Sequence, residues 1–170
     1  CALVLVEFLL LSPAPWPLPV LFPLPAEALA NLPGDAAHPA VLDLPMDWLA
    51  GGDDKLLPGA YFFNQSLHHR PIPYRVSGHM SRAVEDHALV ATVRALTVPG
   101  LELRSPPSPQ MLAESASSLA AMGFGVLVLH REYIREDRVD EVQATLDAAL
   151  GKPLTRGDLR LYALPHGGAP

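Results

Sequence analysis

The stretch GVLVLH, residues 125–130, is the clearest strand signal in this chain of 170 residues and decides its fold. A short apolar run of this kind is typical of a β-strand. AVLDLP (40–45), which ends in a proline, and LRLYAL (159–164) predict two more strands. PIPYRVS (71–77) alternates apolar and polar residues, but its prolines suit only a strand end or a sheet edge. We therefore expect strands near residues 40, 72, 125 and 159.

Helix signals fill the intervals between these strands. Ser81 and Ser108 are expected to cap helices that run to about Leu96 and to Met122, because a serine hydroxyl can accept a hydrogen bond from the first turn. Further helices are predicted over 26–32, over 59–69, and from Asp137 to Gly151 with a stripe of Val139, Val142, Leu146 and Leu150. Strands that alternate with helices predict an α/β fold: a small mixed or parallel sheet of three to five strands with helices packed on it.

Two hydrophobic segments precede this pattern. Residues 1–11, CALVLVEFLLL, would make about 16 Å of helix, roughly half of a bilayer core. We interpret them as the end of a transmembrane helix; a signal-peptide core or a helix packed on the domain stay open. Residues 12–39 are dense in proline and apolar, which predicts a linker that runs extended along the domain or a membrane interface. Residues 40–165 then form the soluble α/β domain, and 166–170 a disordered tail.

Charge and cysteine content narrow the classes of function. Twelve Lys plus Arg residues against eighteen Asp plus Glu residues give a net charge of -6, which repels a phosphate backbone, so no nucleic-acid partner is predicted. The single cysteine, Cys1, excludes an internal disulfide and a cysteine-based zinc site. A lipid-modified Cys1 is one interpretation. A chain that begins inside a longer protein is the preferred one, because a hydrophobic segment follows rather than a short polar tether.

A candidate ligand site lies on the helix predicted at 59–69. Tyr61, Gln65 and His68 follow one another at i, i+4 and i+7, so their side chains share one stripe of the helix. Three polar-tipped side chains in this arrangement could bind a hydroxylated ligand. The alternative is that the stripe is the solvated side of an amphipathic helix. The apolar residues of the same helix are expected to face the core: Phe62, Phe63 and Leu67.

Arginines follow this helix in an otherwise acidic chain. Arg82 stands one residue inside the helix that Ser81 is expected to cap, where free N–H groups and the helix dipole favour an anion. Arginine is suited to bidentate recognition of a carboxylate or phosphate, and Arg70 and Arg75 lie nearby in the sequence. We therefore add Ser81 and Arg82 to the candidate ligand-binding residues. An ion pair of Arg82 with an acidic residue of its own helix is the alternative.

A second candidate site is an acid–base pair at the ends of two predicted strands. Asp43 lies near the end of the first strand and His130 ends the strand at 125–130, and ligands of open α/β sheets sit at the carboxyl ends of strands. Asp43, Asp47 and His130 could therefore share one crevice, although no Gly-x-Ser-x-Gly elbow or reactive cysteine supplies a nucleophile.

No metal or cofactor is predicted. His68 and His69 are adjacent, so on a helix their side chains point about 100° apart and do not chelate one ion together. A site built from His68, His79 and His130 with Asp43 is conceivable, but nothing in the spacing favours it.

These passages together resemble the C-terminal extracytoplasmic region of polytopic bacterial membrane proteins related to the GT-C glycosyltransferases. The similarity covers nearly the whole chain in order and spacing. After a final membrane helix and a proline-rich passage, the matching residues are Val41 to Pro45; Tyr61, Gln65, His68, Pro71 and Ile72; Gly78, Ser81 and Arg82; and Gly125 to His130 with Tyr133. The chain departs from the pattern at His69, where such proteins often have glycine, and in the acidic GGDDK that follows Trp48.

The resemblance implies a place and a role. Enzymes of this kind transfer a sugar from a polyprenyl-phosphate donor outside the cytoplasmic membrane, and their catalytic acidic residue lies in an early loop that this chain lacks. The chain would then be a non-catalytic accessory domain on the extracytoplasmic side of the bacterial inner membrane. Its partners would be the rest of the parent protein and a lipid-linked sugar or glycan acceptor. Two alternatives stay open. One is a free-standing small hydrolase or transferase that uses His130 or His68 with Asp43 as an acid–base pair, and the other is a secreted or lipid-anchored binding module.

Overall fold

The computed structural model describes residues 26–33, 37, 39–46, 57–74, 80–101, 103 and 105–165. Four strands form one sheet: β1 (Ala40–Leu44), β2 (Phe124–His130), β3 (Leu154–Arg156) and β4 (Leu159–Ala163). The helices are α1 (Ala26–Ala30), α2 (Leu57–His68), α3 (Arg82–Glu85), α4 (Ala88–Thr97), α5 (Pro109–Ala121) and α6 (Glu136–Leu150), and a 3-10 turn covers Arg131–Tyr133. The predicted transmembrane segment at 1–11, most of the proline-rich linker and the tail at 166–170 lie outside the described residues.

The sheet has the order β1-β2-β4-β3. β1 runs parallel to β2, whereas β4 is antiparallel to both β2 and β3, so the sheet is mixed. This confirms the predicted α/β fold with a small sheet of three to five strands. The parallel pair needs a long crossover, which the helices α2 to α5 supply, while β3 and β4 are joined by a tight turn.

The central strand β2 explains why its sequence is so apolar. All seven of its residues are buried, because the strand has neighbours on both edges and packed layers on both faces. Leu127 and Leu129 face a large core shared with α4, α5 and α6, whereas Val126 and Val128 face a smaller core under α1. The period of two in the side-chain directions thus assigns the leucines to one face and the valines to the other.

Two of the predicted helices form as the sequence indicates. The Ser108 hydroxyl accepts a hydrogen bond from the Met111 N–H at 3.2 Å, and Pro109 opens α5. In α6 the stripe of Val139, Val142 and Leu146 is buried, while Leu150 is half-buried. The helix starts two residues earlier than predicted, because the cap position is Arg135 and not Asp137. Gly151 follows its end with a φ of 79°, a left-handed conformation that glycine adopts without strain.

The single helix predicted from Ser81 to Leu96 is wrong, because the structure contains two helices there. α3 is only four residues long, and the Ser81 side chain makes no capping hydrogen bond. His87 then adopts an extended conformation and precedes α4. This break lets the Ser115 hydroxyl of α5 accept a hydrogen bond from Leu89 N–H at 3.0 Å, so a tertiary contact takes the place of one helical turn.

The strand predicted at 71–77 does not form in its described part, residues 71–74. Tyr74 makes one isolated bridge with Met80, and the Pro71 carbonyl accepts a hydrogen bond from Val41 N–H at 2.8 Å. Prolines lack the N–H that a ladder requires, which is why the segment cannot continue along β1. The fourth strand is β3 instead, whose three residues are all exposed and therefore carry no apolar signal.

A search of the described helices finds none with the length and apolar character needed to cross a membrane.

Candidate functional site

The structure brings Asp43 and His130 together at the carboxyl ends of β1 and β2. His130 Nε2 lies 2.8 Å from Asp43 Oδ1, and the exposed fractions of the two side chains are 1% and 0%. β1 and β2 are parallel and in register, with Leu44 opposite Leu129, so both side chains come from the same end of the sheet. The predicted neighbours therefore meet, although inside the protein rather than in an open crevice. Asp47, the third residue of that prediction, lies outside the described residues.

A second carboxylate completes this site. After β2 the chain turns through Arg131–Tyr133, and Glu132 Oε1 comes to 3.2 Å from His130 Nδ1. The Glu132 side chain is 31% exposed, so it links the buried imidazole to the surface. Both ring nitrogens of His130 thus face carboxylates. We call Asp43, His130 and Glu132 the buried charge cluster.

The charge cluster fixes the protonation state of its histidine. Burial by itself lowers the pKa of His130, but hydrogen bonds and charge interactions with Asp43 and Glu132 outweigh it and raise that pKa to about 9. His130 is therefore an imidazolium at neutral pH, and both of its nitrogens donate hydrogen bonds. A charge can be buried this deeply because the contact with an opposite charge offsets the desolvation penalty.

Three tyrosines enclose the charge cluster. The Tyr133 ring stacks on His130 with centroids 5.2 Å apart and planes at 15°, and the Tyr61 ring lies 5.3 Å from His130. Aromatic faces next to an imidazolium stabilise its positive charge. Tyr74 lies 5.1 Å from Tyr61, and its hydroxyl donates to the Asp43 carbonyl at 2.8 Å. Burial raises the pKa of Tyr61 well above its ordinary value and that of Tyr133 to about 12, so both hydroxyls stay protonated.

The predicted stripe on α2 exists, but it faces the interior. Tyr61 and His68 are 0% and 8% exposed, and Asn64, which lies between them, is 1% exposed. The Tyr61 hydroxyl donates to the Pro45 carbonyl, and Gln65 Nε2 donates to the Arg70 carbonyl at 3.1 Å. Phe62, Phe63 and Leu67 were all expected to face the core. Phe62 and Leu67 are half-buried and pack against the two cores, as expected. The expectation is wrong for Phe63, whose exposed fraction is 54%. The polar stripe is buried because it packs on the charge cluster, which overrides the simple apolar-inside pattern.

The two residues of the predicted anion site, Ser81 and Arg82, directly follow Met80, which pairs with Tyr74 in an isolated bridge. Arg82 is exposed at the first position of α3, and Ser81 is half-buried. With four residues, α3 provides little helix dipole, so the electrostatic support expected from a long helix is missing. The nearby Arg70 has a structural task, since its guanidinium donates to the carbonyls of Leu32 and Pro33, both at 2.7 Å, and holds the end of α1. Arg75 lies outside the described residues.

Four residues of this site were absent from the predicted site residues: Asn64, Tyr74, Glu132 and Tyr133. Asn64 could have been found, because it follows Tyr61 by three residues and precedes His68 by four, on the same helical face. Glu132 had no such signal, since only the turn after β2 brings it back to the sheet end. Tyr133 was named only among the residues that carry the family resemblance, without a role in the site. Within the described ranges, no group of three or more His, Cys, Asp and Glu side chains could hold a metal ion. His79, part of the metal site considered from the sequence, lies outside them.

A cavity of about 300 Å³ lies elsewhere, between the end of α4 and the start of α6. Its two arginines already have partners: Arg135 binds the Asp137 carboxylate through two hydrogen bonds, and Arg138 binds Glu141 and the Leu96 carbonyl. The cavity is therefore a weaker candidate than the charge cluster.

Comparisons of the sequence with protein-family models and with curated proteins, and a comparison with solved structures, found no match. The class of protein is therefore described by its fold and its site. It is an α/β domain with a four-stranded mixed sheet, in which an Asp–His–Glu cluster is packed against tyrosines.

Proposed function

We propose that the chain is a non-catalytic accessory domain of a membrane-embedded, glycosyltransferase-like protein that uses polyprenyl-phosphate-linked sugars. We place the domain on the extracytoplasmic side of the bacterial inner membrane. The observation that carries the non-catalytic part is the state of His130, the best candidate for a catalytic group. Its two nitrogens are both occupied by carboxylates, at 2.8 Å and 3.2 Å, and its side chain is 1% exposed.

An acid–base role would require different properties. A general base must be unprotonated at the working pH, whereas the pKa of His130 is raised to about 9. A general acid must reach the substrate, whereas the imidazolium lies behind Tyr61 and Tyr133. This geometry disfavours the alternative of a small hydrolase or transferase that uses Asp43 and His130, and favours a cluster that holds the ends of β1 and β2 together.

The parentage of the domain rests on the resemblance described for the sequence. Among the residues proposed for ligand contact, Arg82 and Gln65 suit a role in contacting acceptor or sugar best, because Arg82 is exposed and Gln65 half-buried. Tyr61 and His68 are both buried, so we assign them no direct contact with the ligand. A guanidinium at the surface can bind a phosphate or a carboxylate in a bidentate manner.

Sugar transfer by the full-length parent protein tests the proposal. Membrane vesicles that contain the parent with Arg82→Ala are expected to show a several-fold higher KM for the acceptor with kcat unchanged, since the lost contact would serve binding only. Arg156→Ala, which removes another exposed arginine, is the matched control and should match wild type. Unchanged kinetics for both Arg82→Ala and Gln65→Ala at normal protein levels would remove the site assignment.

Two further measurements address the class and the location. The 170-residue chain should hydrolyse neither p-nitrophenyl esters nor phosphates; turnover that His130→Asn abolishes would establish the hydrolase alternative instead. Alkaline phosphatase fused after residue 170 should be active, because this enzyme requires export from the cytoplasm. Green fluorescent protein fused at the same position should not fluoresce. The opposite result would place the domain in the cytoplasm and contradict the proposal.

A further inference from the structure

Three buried polar side chains next to the charge cluster have atoms without hydrogen-bond partners among the described residues. These atoms are Asp43 Oδ2, both side-chain atoms of the Asn64 amide and His68 Nε2. The three residues are 0%, 1% and 8% exposed. Buried polar groups in proteins are almost always hydrogen-bonded, because a buried donor or acceptor without a partner destabilises the fold. Three such residues on α2 and on the neighbouring strand end indicate that something other than a described protein group satisfies them.

The helix geometry places these side chains on one surface. Tyr61, Asn64 and His68 occupy positions i, i+3 and i+7 of α2, and all three are buried. Tyr61 packs on His130, which in turn binds Asp43, so the face that carries Asn64 and His68 is the one turned toward the sheet end. Electrostatics agree: burial lowers the pKa of His68, and the charges of Asp43 and His130 act on that pKa in opposite directions.

The free atoms form a mixed set of donors and acceptors. Arg70 N–H donates to His68 Nδ1 at 3.0 Å, so Nδ1 is unprotonated and the hydrogen of the neutral ring is on Nε2. His68 therefore offers a donor, Asp43 offers an acceptor, and Asn64 offers both. An anion would be repelled by the Asp43 carboxylate, and a cation would face the imidazolium of His130. A hydroxyl group, which donates and accepts, matches the set.

We propose that Asp43, Asn64 and His68 form an internal hydroxyl-binding site, filled by water or by the hydroxyl of a small alcohol. A buried water typically makes about three hydrogen bonds to otherwise unsatisfied polar groups, which is the number of residues available here. The site does not depend on the proposed accessory function, because water occupies it in the isolated chain.

Water-selective nuclear magnetic resonance on the ¹⁵N-labelled 170-residue chain tests the site. A long-lived water should give cross-relaxation peaks to the Asn64 side-chain amide, and a high-resolution crystal structure should show an oxygen that bridges Asn64 to Asp43 or His68. Methanol tests whether an alcohol can replace water in the site. A cross-relaxation peak from its methyl group to Asn64 would show that the alcohol enters. Peaks from water alone assign the site to water, and either result supports the proposal.

The thermal stability of Asn64→Leu is a second test, because the Tm changes in opposite directions if the site is filled and if it is dry. If Asn64 binds a bridging hydroxyl, Asn64→Leu leaves the free atoms of Asp43 and His68 with fewer hydrogen bonds. The Tm should then fall by roughly 3–6 °C. If the space is dry, the same apolar replacement removes an unsatisfied group and raises the Tm. Ser66→Ala, which changes an exposed residue of the same helix, is the control. If the leucine variant does not fold, Asn64→Ser replaces it in this test, because serine keeps a polar group. The serine variant should retain the water peaks at neighbouring protons.

Two outcomes overturn the proposal. One is the absence of water peaks together with a raised Tm for Asn64→Leu. The other is a crystal structure in which a protein group occupies the free atoms directly, for example Asn64 Nδ2 donating to Asp43 Oδ2.

Discussion

Asp43 Oδ1 lies 2.8 Å from His130 Nε2, although 87 positions separate the two residues in the chain. The contact ties the ends of the two parallel strands, and neither side chain reaches solvent. With Glu132 on the other ring nitrogen, one imidazolium is held between two carboxylates. The following predictions concern this cluster and the contacts that support it.

Stability should fall as the pH rises from about 6.5 through 9. The pKa of His130 is raised in the folded state to about 9, from an ordinary value of 6.5, so the stability gained by protonation is complete below 6.5 and is lost as His130 deprotonates. Urea unfolding at pH 6, 7.5 and 9.5 measures the change. His130→Gln should flatten the slope in this window. A wild-type stability that stays constant up to pH 9.5 would contradict the raised pKa.

Asp43→Asn should destabilise the fold strongly, by about 3 kcal/mol or more, because breaking a buried ion pair leaves its partner charge uncompensated. Glu132→Gln is the matched comparison and should cost about 1 kcal/mol or less, since the Glu132 side chain is 31% exposed and water can replace it. Chemical denaturation measures both, and the His130 pKa should fall in each variant. Equal costs would mean that burial does not distinguish the two carboxylates.

Arg70→Ala should release the end of α1 from the domain. Arg70 donates to the Leu32 and Pro33 carbonyls, both at 2.7 Å, and charged hydrogen bonds of this kind suggest a cost of about 2 kcal/mol. Hydrogen exchange of the α1 amides should quicken while exchange in β2 stays slow. Arg70→Lys should rescue the protection only partly, because an ammonium lacks the planar fork. Protection of α1 that survives in Arg70→Ala would show that apolar packing of residues such as Leu29 and Leu32 on the smaller core is enough to hold the helix.

Ser115→Ala should loosen the break between α3 and α4. The Ser115 hydroxyl accepts from Leu89 N–H at 3.0 Å and lies 2.9 Å from His87 Nδ1, so its loss should cost about 1–2 kcal/mol. Ser117→Ala, an exposed serine on the same helix, is the control for the substitution itself. Urea unfolding at pH 7 measures the difference, and equal stability of the two variants would contradict the prediction.

Acid should act on the same contact. Burial lowers the pKa of His87, so its neutral form belongs to the folded state and stability is lost as the pH falls below about 6.5. Protonation of His87 also places a hydrogen on Nδ1, which can then only donate to the Ser115 hydroxyl. The His87 pKa from nuclear magnetic resonance should therefore lie below 6.5, and His87→Gln should reduce the acid slope. A measured pKa above 6.5 would reverse the sign and exclude this explanation.

The sequence predicts the fold well where one face or both faces of an element are apolar. The run at 125–130 and the stripe of Val139, Val142 and Leu146 are examples, because burial alone determines both. The prediction from sequence fails where a contact with a distant part of the chain determines the local structure. The break at His87 depends on Ser115, a contact between residues 28 positions apart, and the exposed strand β3 is defined only by its partner β4.

The candidate site shows the same division. The strand ends bring Asp43 and His130 together, as the rule for parallel strands predicts, but their burial could not be foreseen. The polar stripe of α2 reads as a solvated face because a helical wheel ranks residues by polarity and ignores the charges opposite them. Only the packed structure shows that Asn64 and His68 face the interior while Phe63 faces solvent.

The order of the strands has a consequence for how the chain reaches this structure. α5, β2, α6, β3 and β4 follow one another in sequence and contact their near neighbours, so they can assemble with short loops to close. Strand β1 joins only across the 87-residue separation between Asp43 and His130, and a loop of that length costs the most entropy to close. We therefore expect a folding nucleus in the C-terminal half. His130 would then have Glu132 as its only carboxylate partner until β1 arrives as the last strand. The ion pair with Asp43 would therefore stabilise the finished sheet and would not direct its formation.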